Sequence, residues 1–170
     1  QLLDVARLQR DQQDPSSKEW VSLRAITDEC VERVAKQHAL SSEVFQVIVE
    51  DSQVLAHRID IDVLLGNLLD NAIKYSSANP QVEVRITFQN QSALIAISDN
   101  GPGIPRHLRR KVFSRFYRAG DELERRKPGV GLGLFLVRSI VERLKGSITV
   151  SERIHKSGAT FLVTLPARQG

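Results

Sequence analysis

The sequence contains a single cysteine, Cys30, which excludes an internal disulfide and a cysteine-based metal cluster. No apolar run approaches the roughly 20 residues of a membrane-spanning helix, and no apolar segment near the start resembles a secretory signal. We therefore expect a reducing, cytoplasmic setting. Methionine is absent even at position 1, so we also expect the chain to be part of a longer protein with a further, missing domain.

Aromatic residues are scarce, at 5% of the chain, which argues against the stacking platforms of a nucleic-acid-binding surface. Basic residues are concentrated in one window, 106–127, which holds nine of them and three acids. This window carries a charge of +6 and the rest of the chain −2, within a net charge of +4. The window is either a solvated basic surface or a place where an anion binds, and nucleic acid is not an expected partner.

The apolar pattern over the 170 residues predicts one globular domain that contains both helices and strands. Helical periodicity predicts helices at 24–38, at 60–75, near 106–113 and from Leu136 to Leu144. Alternating or continuous apolar runs predict strands at 20–23, 45–50, 54–58, 82–88, 93–98, 147–152 and 159–165. Strands in hairpins with helices between them indicate an α+β fold, a two-layer α/β sandwich.

One face of the helix at 60–75 is polar. Asn67, Asn71 and Lys74 fall on a common arc, away from the leucine-rich side. Amide oxygens are hard ligands that suit Mg²⁺ when phosphates supply its other ligands, and a lysine would neutralise phosphate oxygens. The alternative is an ordinary solvent-facing side of an amphipathic helix.

Two glycine clusters adjoin regular structure. Residues 99–103 (Asp-Asn-Gly-Pro-Gly) follow a predicted strand, where glycine permits a ligand to approach a carboxylate and the backbone closely. Residues 129–134 (Gly-Val-Gly-Leu-Gly-Leu) open a predicted helix, whose free N–H groups could receive phosphates. Neither cluster has the spacing of a dinucleotide fingerprint or of a P-loop, and each is a weak signal alone.

Five segments of the chain form an ordered set: 67–76, 99–104, 113–118, 129–134 and 158–161. In this order they resemble the N box, first Gly box, F box, second Gly box and final motif of the catalytic and ATP-binding domain of bacterial two-component sensor histidine kinases. The resemblance covers roughly residues 20–166, and its specificity comes from the joint order of the motifs. It implies the Bergerat (GHKL) fold, in which a mixed sheet of about five strands packs on three helices.

The resemblance also implies an ATP–Mg²⁺ site. Asp99 would accept a hydrogen bond from the adenine amino group, with help from Thr160 through water. Tyr75 and Ile104 would line the adenine slot. Asn71 and Asn67 would hold Mg²⁺.

The remaining implied contacts are to the phosphates. Lys74, Arg118 and Arg115 would meet phosphate oxygens, and residues 119–130 would form a lid over the nucleotide. The catalytic residues implied are Asn67, Asn71, Lys74 and Arg118. Glycine and loop positions would complete the nucleotide contacts, namely Gly101, Gly103, Gly129, Val130, Gly131, Leu132, Gly133 and Leu134.

None of the four histidines has the context of a phosphoacceptor, because none is followed by Glu or Asp. The phosphoacceptor is therefore expected on another domain. The resemblance also implies that residues 1–11 are the tail of a dimerisation helix, 12–19 a linker and 20–168 the catalytic domain. The expected partners are the protein's own phosphoacceptor domain, in a homodimer, and a response regulator. A membrane would be reached only through missing N-terminal segments of an inner-membrane sensor.

Three alternatives stay open at this point. A related conformational ATPase would place a Glu base where this chain has Asn67, which cannot act as a base at neutral pH. An anti-sigma-type serine kinase would need no dimerisation helix, so residues 1–11 argue against it. A degenerate nucleotide-binding module would have lost motif residues, and none is lost here.

Overall fold

A computed structural model describes residues 18–117, 131–154 and 156–170. Its helices are α1 (Leu23–Gln37), α2 (Arg58–Lys74) and α3 (Gly133–Arg143). Its strands are β1 (Glu19–Ser22), β2 (Phe45–Val49), β3 (Ser52–Ala56), β4 (Val82–Gln89), β5 (Ser92–Ser98), β6 (Ser147–Glu152), β7 (Ala159–Pro166) and β8 (Arg168–Gln169). The predicted helix tail at 1–11, most of the linker at 12–19, the lid at 119–130 and the site residues Arg118, Gly129 and Val130 lie outside the described residues.

The main sheet has five strands in the order β2-β4-β5-β7-β6. The β2–β4 pair is parallel and the other three pairs are antiparallel, so the sheet is mixed. The β4–β5 hairpin closes between Gln89 and Ser92, where Asn90 and Gln91 both take positive φ angles of 51° and 57°. Two consecutive positive φ values match the twist of the flanking strands. The predicted turn is confirmed.

The core lies between this sheet and the three helices. Leu64, Leu65, Leu68 and Leu69 on α2 are fully buried, and so are alternate residues of β4 and β5 such as Ile86 and Ile95. The helices pack on one another and on the sheet. This arrangement confirms the predicted two-layer α+β sandwich of five strands and three helices.

A smaller sheet of three strands, in the order β1-β3-β8, adjoins the sandwich. The sequence predicts its first two strands within two residues of their observed bounds, but not the two-residue β8. Within the residues that the structure describes, no helix combines the length and the apolar character needed to cross a membrane.

The helix predicted near 106–113 is wrong. This segment forms two separate 3-10 turns, Arg106–Leu108 and Lys111–Phe113. In a continuous α-helix, Arg106 would lie on the same face as Arg109 and Arg110, which follow it by three and four positions. Like charges at these spacings destabilise a helix. The burial of Val112 and Phe113 holds the second turn against the core instead.

Candidate functional site

Strand β5 delivers Asp99 to the end of the main sheet. The residue is 5% exposed, and its Oδ1 accepts hydrogen bonds from the backbone N–H groups of Gly101 at 2.8 Å and Ala159 at 3.2 Å. Its Oδ2 has no donor among the described residues. Burial raises the pKa of Asp99, although the two backbone N–H groups and the charge of Arg153 oppose the rise. The carboxylate is therefore held rigidly by one oxygen while the other stays open to a ligand.

The loop after β5 touches the end of α2 because Gly101 has no side chain. A Cβ at Gly101 would lie 1.9 Å from the backbone oxygen of Tyr75, the C-cap residue of α2. Gly158, just before β7, approaches the same loop closely. Its φ is +129°, and a Cβ there would lie 1.9 Å from the backbone oxygen of Asp99. Three segments far apart in sequence thus meet around Asp99.

Polar side chains outside the predicted set lock this loop in place. Asn100 donates from Nδ2 to the Ser77 hydroxyl at 2.9 Å and to the Asn79 carbonyl at 2.8 Å. Its Oδ1 accepts from the Gln81 N–H at 3.1 Å. Ser157 donates to the Gly101 carbonyl at 2.6 Å. Asn100 stands inside a motif that the sequence singles out, whereas no local pattern marks Ser157.

Arg153 is a further residue that the sequence does not mark. It is about nine-tenths buried, donates from Nη1 to the Asp99 carbonyl at 3.3 Å and lies 3.6 Å from the Glu83 carboxylate. Its partners are distant in sequence, so only the fold brings them together.

The α2 side of the site carries the predicted polar residues. Asn67, Asn71, Lys74 and Tyr75 are partly buried, in contrast to the fully buried leucines of the same helix. Asn67 donates from Nδ2 to the Val63 carbonyl at 2.8 Å, which turns its Oδ1 away from that carbonyl. Asn71 lies one turn before Tyr75, whose carbonyl touches Gly101. The predicted metal-binding face therefore begins beside the Asp99 loop.

Lys74 is held by Asp70, an acid outside the predicted set. The Lys74 Nζ lies 2.6 Å from the Asp70 carboxylate, and the other oxygen of that carboxylate lies 2.7 Å from Nε2 of His38 at the end of α1. The i, i+4 spacing of Asp70 and Lys74 is a signal that the sequence does contain. The contact of His38 has no such signal.

The residues that open α3 contact the segment 113–117. Gly131 has a φ of +71°, and a Cβ there would lie 2.9 Å from the backbone of Phe116 and of Tyr117. Its carbonyl accepts from the Phe116 N–H at 2.9 Å. Leu132, the N-cap of α3, makes no side-chain hydrogen bond to the first turn, which includes Gly133 and Leu134. Among the described residues, no side chain caps the first N–H groups of α3.

The remaining predicted residues lie in the described part of the chain as follows. The Thr160 hydroxyl is 2.8 Å from that of Ser98, its cross-strand partner and the residue before Asp99. Ile104 packs partly on the core, and Gly103 has a φ of +80° with its Cβ position 3.1 Å from the Gly158 oxygen. The Arg115 guanidinium lies over two rings, 5.1 Å from the centre of Phe116 and 5.8 Å from that of Phe135.

This donor and acceptor set suits a ligand with an amine at one end and phosphates at the other. The Asp99 oxygen that has no donor among the described residues can accept from an amine, and the glycines let the loops around it approach one another closely. The amide groups of α2, Lys74 and the N–H groups at the start of α3 fit Mg²⁺ and phosphate oxygens. The residues present therefore fit ATP with Mg²⁺.

Residues 56–169 match the model of the protein family described as histidine kinase-, DNA gyrase B-, and HSP90-like ATPase. The signal transduction histidine-protein kinase/phosphatase MprB of Mycobacterium sp. (strain KMS) is 36% identical over 169 residues, covering 97% of this chain and 32% of that protein. The sensor protein KdpD of Escherichia coli (strain K12) is 33% identical over 168 residues, covering 97% of this chain and 18% of that protein. The chain thus spans a third or less of the length of these two curated relatives.

Solved structures agree with these matches. The structure of mycobacterial sensor histidine kinase MprB has a TM-score of 0.78 and 31% identity, and the match covers 90% of this chain and 99% of that one. Histidine kinase AdeS of Acinetobacter baumannii has a TM-score of 0.67 and 27% identity, with 97% of this chain and 76% of that chain covered. The chain belongs to the histidine kinase-, DNA gyrase B- and HSP90-like ATPase family, and within it to the ATP-binding catalytic domains of sensor histidine kinases.

Proposed function

We propose that the chain binds ATP with Mg²⁺ and transfers the γ-phosphoryl group to a histidine on a dimerisation domain outside this chain. A response-regulator aspartate would then receive the group. The observation that carries the proposal is the hydrogen bonding of the Asp99 carboxylate. Its Oδ1 accepts from two backbone N–H groups, whereas its Oδ2 has no donor among the described residues. The kinship with sensor kinases supports the kinase over the related ATPase and the serine kinase.

In this proposal Asp99 recognises the adenine ring of ATP. Its Oδ2 accepts from the exocyclic amine of adenine, while Thr160 sits beside it and Tyr75 and Ile104 flank the slot. Because the carboxylate is buried and hydrogen-bonded, it needs no rearrangement when the amine arrives.

Asn71 and Asn67 would hold Mg²⁺, which when bound would neutralise charge on the phosphate oxygens. Lys74, Arg115 and Arg118 would contact phosphates, together with N–H groups at the start of α3. Asp70 would orient Lys74, since it binds the ammonium group from one side. These residues position charge and perform no covalent chemistry, in keeping with what phosphoryl transfer demands.

The nucleophile would be an imidazole nitrogen of the absent domain. The chain offers no general base for water at position 67, since a neutral amide does not take up a proton at neutral pH. We therefore expect transfer to histidine to exceed hydrolysis.

The partners follow from the same proposal. The intact protein would be a homodimer joined through its phosphoacceptor helices, and the present chain would be its cytoplasmic part. The whole protein would be an inner-membrane sensor, held at the membrane by segments outside this chain.

Calorimetric titration with ATP and Mg²⁺ tests the proposal through Asp99→Asn. The amide oxygen can keep both backbone hydrogen bonds, whereas the amide nitrogen presents a donor to the adenine amine. Losing a hydrogen bond to a charged acceptor should cost roughly 1.5–3 kcal/mol, or about tenfold to a hundredfold in affinity. Asp28→Asn, at an exposed position of α1, is the matched control. Equal affinities for wild type and Asp99→Asn would remove Asp99 from the site.

A further inference from the structure

Strand β6 forms one edge of the main sheet. Among the described strands it pairs with β7 alone, so its outer row of N–H and C=O groups faces away from the sheet. Edge strands in natural proteins are usually blunted by lysine, proline or a bulge. The pairing of Ser147–Glu152 runs without interruption, and the strand contains neither lysine nor proline. The edge is therefore competent to accept another strand.

A cavity of about 640 Å³ runs along this edge. One wall is β6 itself, through residues 147–150, and the other is formed by α3 and the two 3-10 turns. Phe113, Val141 and Val150 contribute buried apolar surface. We name this feature the β6 groove.

The β6 groove is basic. Four arginines line it, namely Arg106, Arg109, Arg110 and Arg138, against one acid, Glu142, among the described residues that form it. Two of the arginines are neutralised, because Arg109 lies 2.8 Å from Glu152 and Arg138 lies 2.8 Å from Glu142. Arg106 and Arg110 are exposed and contact no acid among the described residues. The groove thus presents two guanidinium groups that form no ion pair with a described residue.

The chemistry of the groove favours a protein segment over a nucleic acid. Phe113, the aromatic residue of its lining, is buried and meets the ring of Phe161 edge-on at 6.1 Å, so it offers no free face to a base. A row of backbone hydrogen-bonding groups is complementary to another extended backbone. We propose that the β6 groove binds an extended acidic segment of a partner protein, which adds as a strand to β6 and directs alternate carboxylates toward Arg106 and Arg110.

This proposal is independent of nucleotide binding, so it is tested without ATP. The probe is a fluorescent peptide of about ten residues that alternates Glu and Thr, measured by fluorescence anisotropy on the whole chain. A peptide with Gln in place of Glu is the comparison. We expect the Glu peptide to bind about tenfold or more tightly, with an affinity that falls as salt is raised.

Variants of the chain locate the contact. Arg106→Gln with Arg110→Gln should reduce binding of the Glu peptide to the level of the Gln peptide. Lys36→Gln with Lys156→Gln removes the same charge from exposed positions outside the groove and should leave binding unchanged. Charge reversal, Arg106→Glu with Arg110→Glu, should make the chain bind a peptide that alternates Lys and Thr in preference to the Glu peptide. A misfolded variant would bind neither peptide, so this result would show that the loss of Glu-peptide binding comes from the charge change.

Backbone methylation of the peptide tests strand addition. In an extended strand the N–H groups of alternate residues point to the same side. A peptide methylated on one alternate set of amides should lose binding, and one methylated on the other set should keep it. Equal binding of both methylated peptides, equal binding of Glu and Gln peptides, or an unaffected Arg106 and Arg110 variant would overturn the proposal. Tighter binding of short single-stranded DNA or of anionic vesicles by the same arginines would do so too.

Discussion

One oxygen of Asp99 has backbone partners and the other is proposed to bind the ligand, so its structural role can be separated from its proposed binding role. Oδ1 ties the loop after β5 to itself and to β7 through the N–H groups of Gly101 and Ala159. Oδ2 belongs to the proposed ligand. A change to Asn alters the second role and preserves the first, so fold and binding can be measured separately in one variant.

The raised pKa of Asp99 predicts how the charge of this residue affects stability. An acid that is harder to ionise in the folded protein than in the unfolded chain stabilises the fold fully below its unfolded pKa. That contribution is lost as pH rises through the folded pKa. Each unit of difference between the two pKa values corresponds to about 1.4 kcal/mol.

Denaturant unfolding of wild type and Asp99→Asn at a series of pH values measures this contribution. Because Asn does not titrate, the free energy of unfolding of wild type minus that of the variant should fall from acid toward neutral pH. A difference that rises with pH would show that Arg153 and the backbone N–H groups outweigh the cost of burial.

Asn71 is the residue whose loss should separate nucleotide binding from phosphoryl transfer. Asn71→Ala in the full-length enzyme should abolish histidine phosphorylation, because Mg²⁺ and the γ-phosphate lose their register. ADP without Mg²⁺ should bind nearly as before, since the Asp99 loop is unchanged. Radiolabel transfer and calorimetry measure the two properties, and normal phosphorylation by the variant would refute the metal-binding role.

At the scale of elements, the site depends on how closely the loop after β5 approaches the end of α2. A Cβ at Gly101 would lie 1.9 Å from the Tyr75 oxygen, and backbone atoms cannot yield as a flexible side chain does. Gly101→Ala should therefore lower the free energy of unfolding by about 1–3 kcal/mol and weaken ATP binding as the loop shifts.

Gly66→Ala is the control for that change. Gly66 lies inside α2, and a Cβ there would be 3.3 Å from the flexible end of the Arg33 side chain. Alanine is favoured over glycine in a helix by about 0.5–1 kcal/mol, so this variant should be as stable as wild type or more so. Thermal and denaturant unfolding compare the two variants. Equal stability of both would show that the loop tolerates a wider separation from α2.

The elements that the sequence predicts well are those whose periodicity is local. The leucines of α2 repeat at helical spacing, and β4 alternates apolar and polar residues toward a two-residue turn, so both are recognisable without tertiary information. The segment 106–113 has apolar residues at Leu108, Val112 and Phe113, but Arg106 stands three and four positions before Arg109 and Arg110, where like charges repel in a helix. Periodicity alone cannot weigh these two effects, and the predicted helix is wrong for that reason.

At the scale of the molecule, the site could be predicted only where its residues stand inside motifs. Asp99, Asn71 and the glycines are marked by order and spacing. The contacts of His38 with Asp70 and of Arg153 with Asp99 join residues that are 32 and 54 positions apart. Such pairs depend on which helices and strands become neighbours, and a single sequence carries no record of that.

The last prediction concerns the proposed separation of the ATP site on this chain from a phosphoacceptor histidine on another domain. The chain holds the residues proposed for ATP and Mg²⁺ but, with no histidine followed by Glu or Asp, lacks the expected acceptor context. Alone, it should neither label itself with the γ-phosphoryl group nor hydrolyse ATP at a useful rate, because Asn67 cannot activate water. Mixed with a protein that carries the dimerisation helices, it should label a histidine of that protein, and Asp99→Asn should suppress the labelling. Acid-labile label on the chain alone would contradict this division, and rapid ATP turnover would favour the ATPase branch of the family.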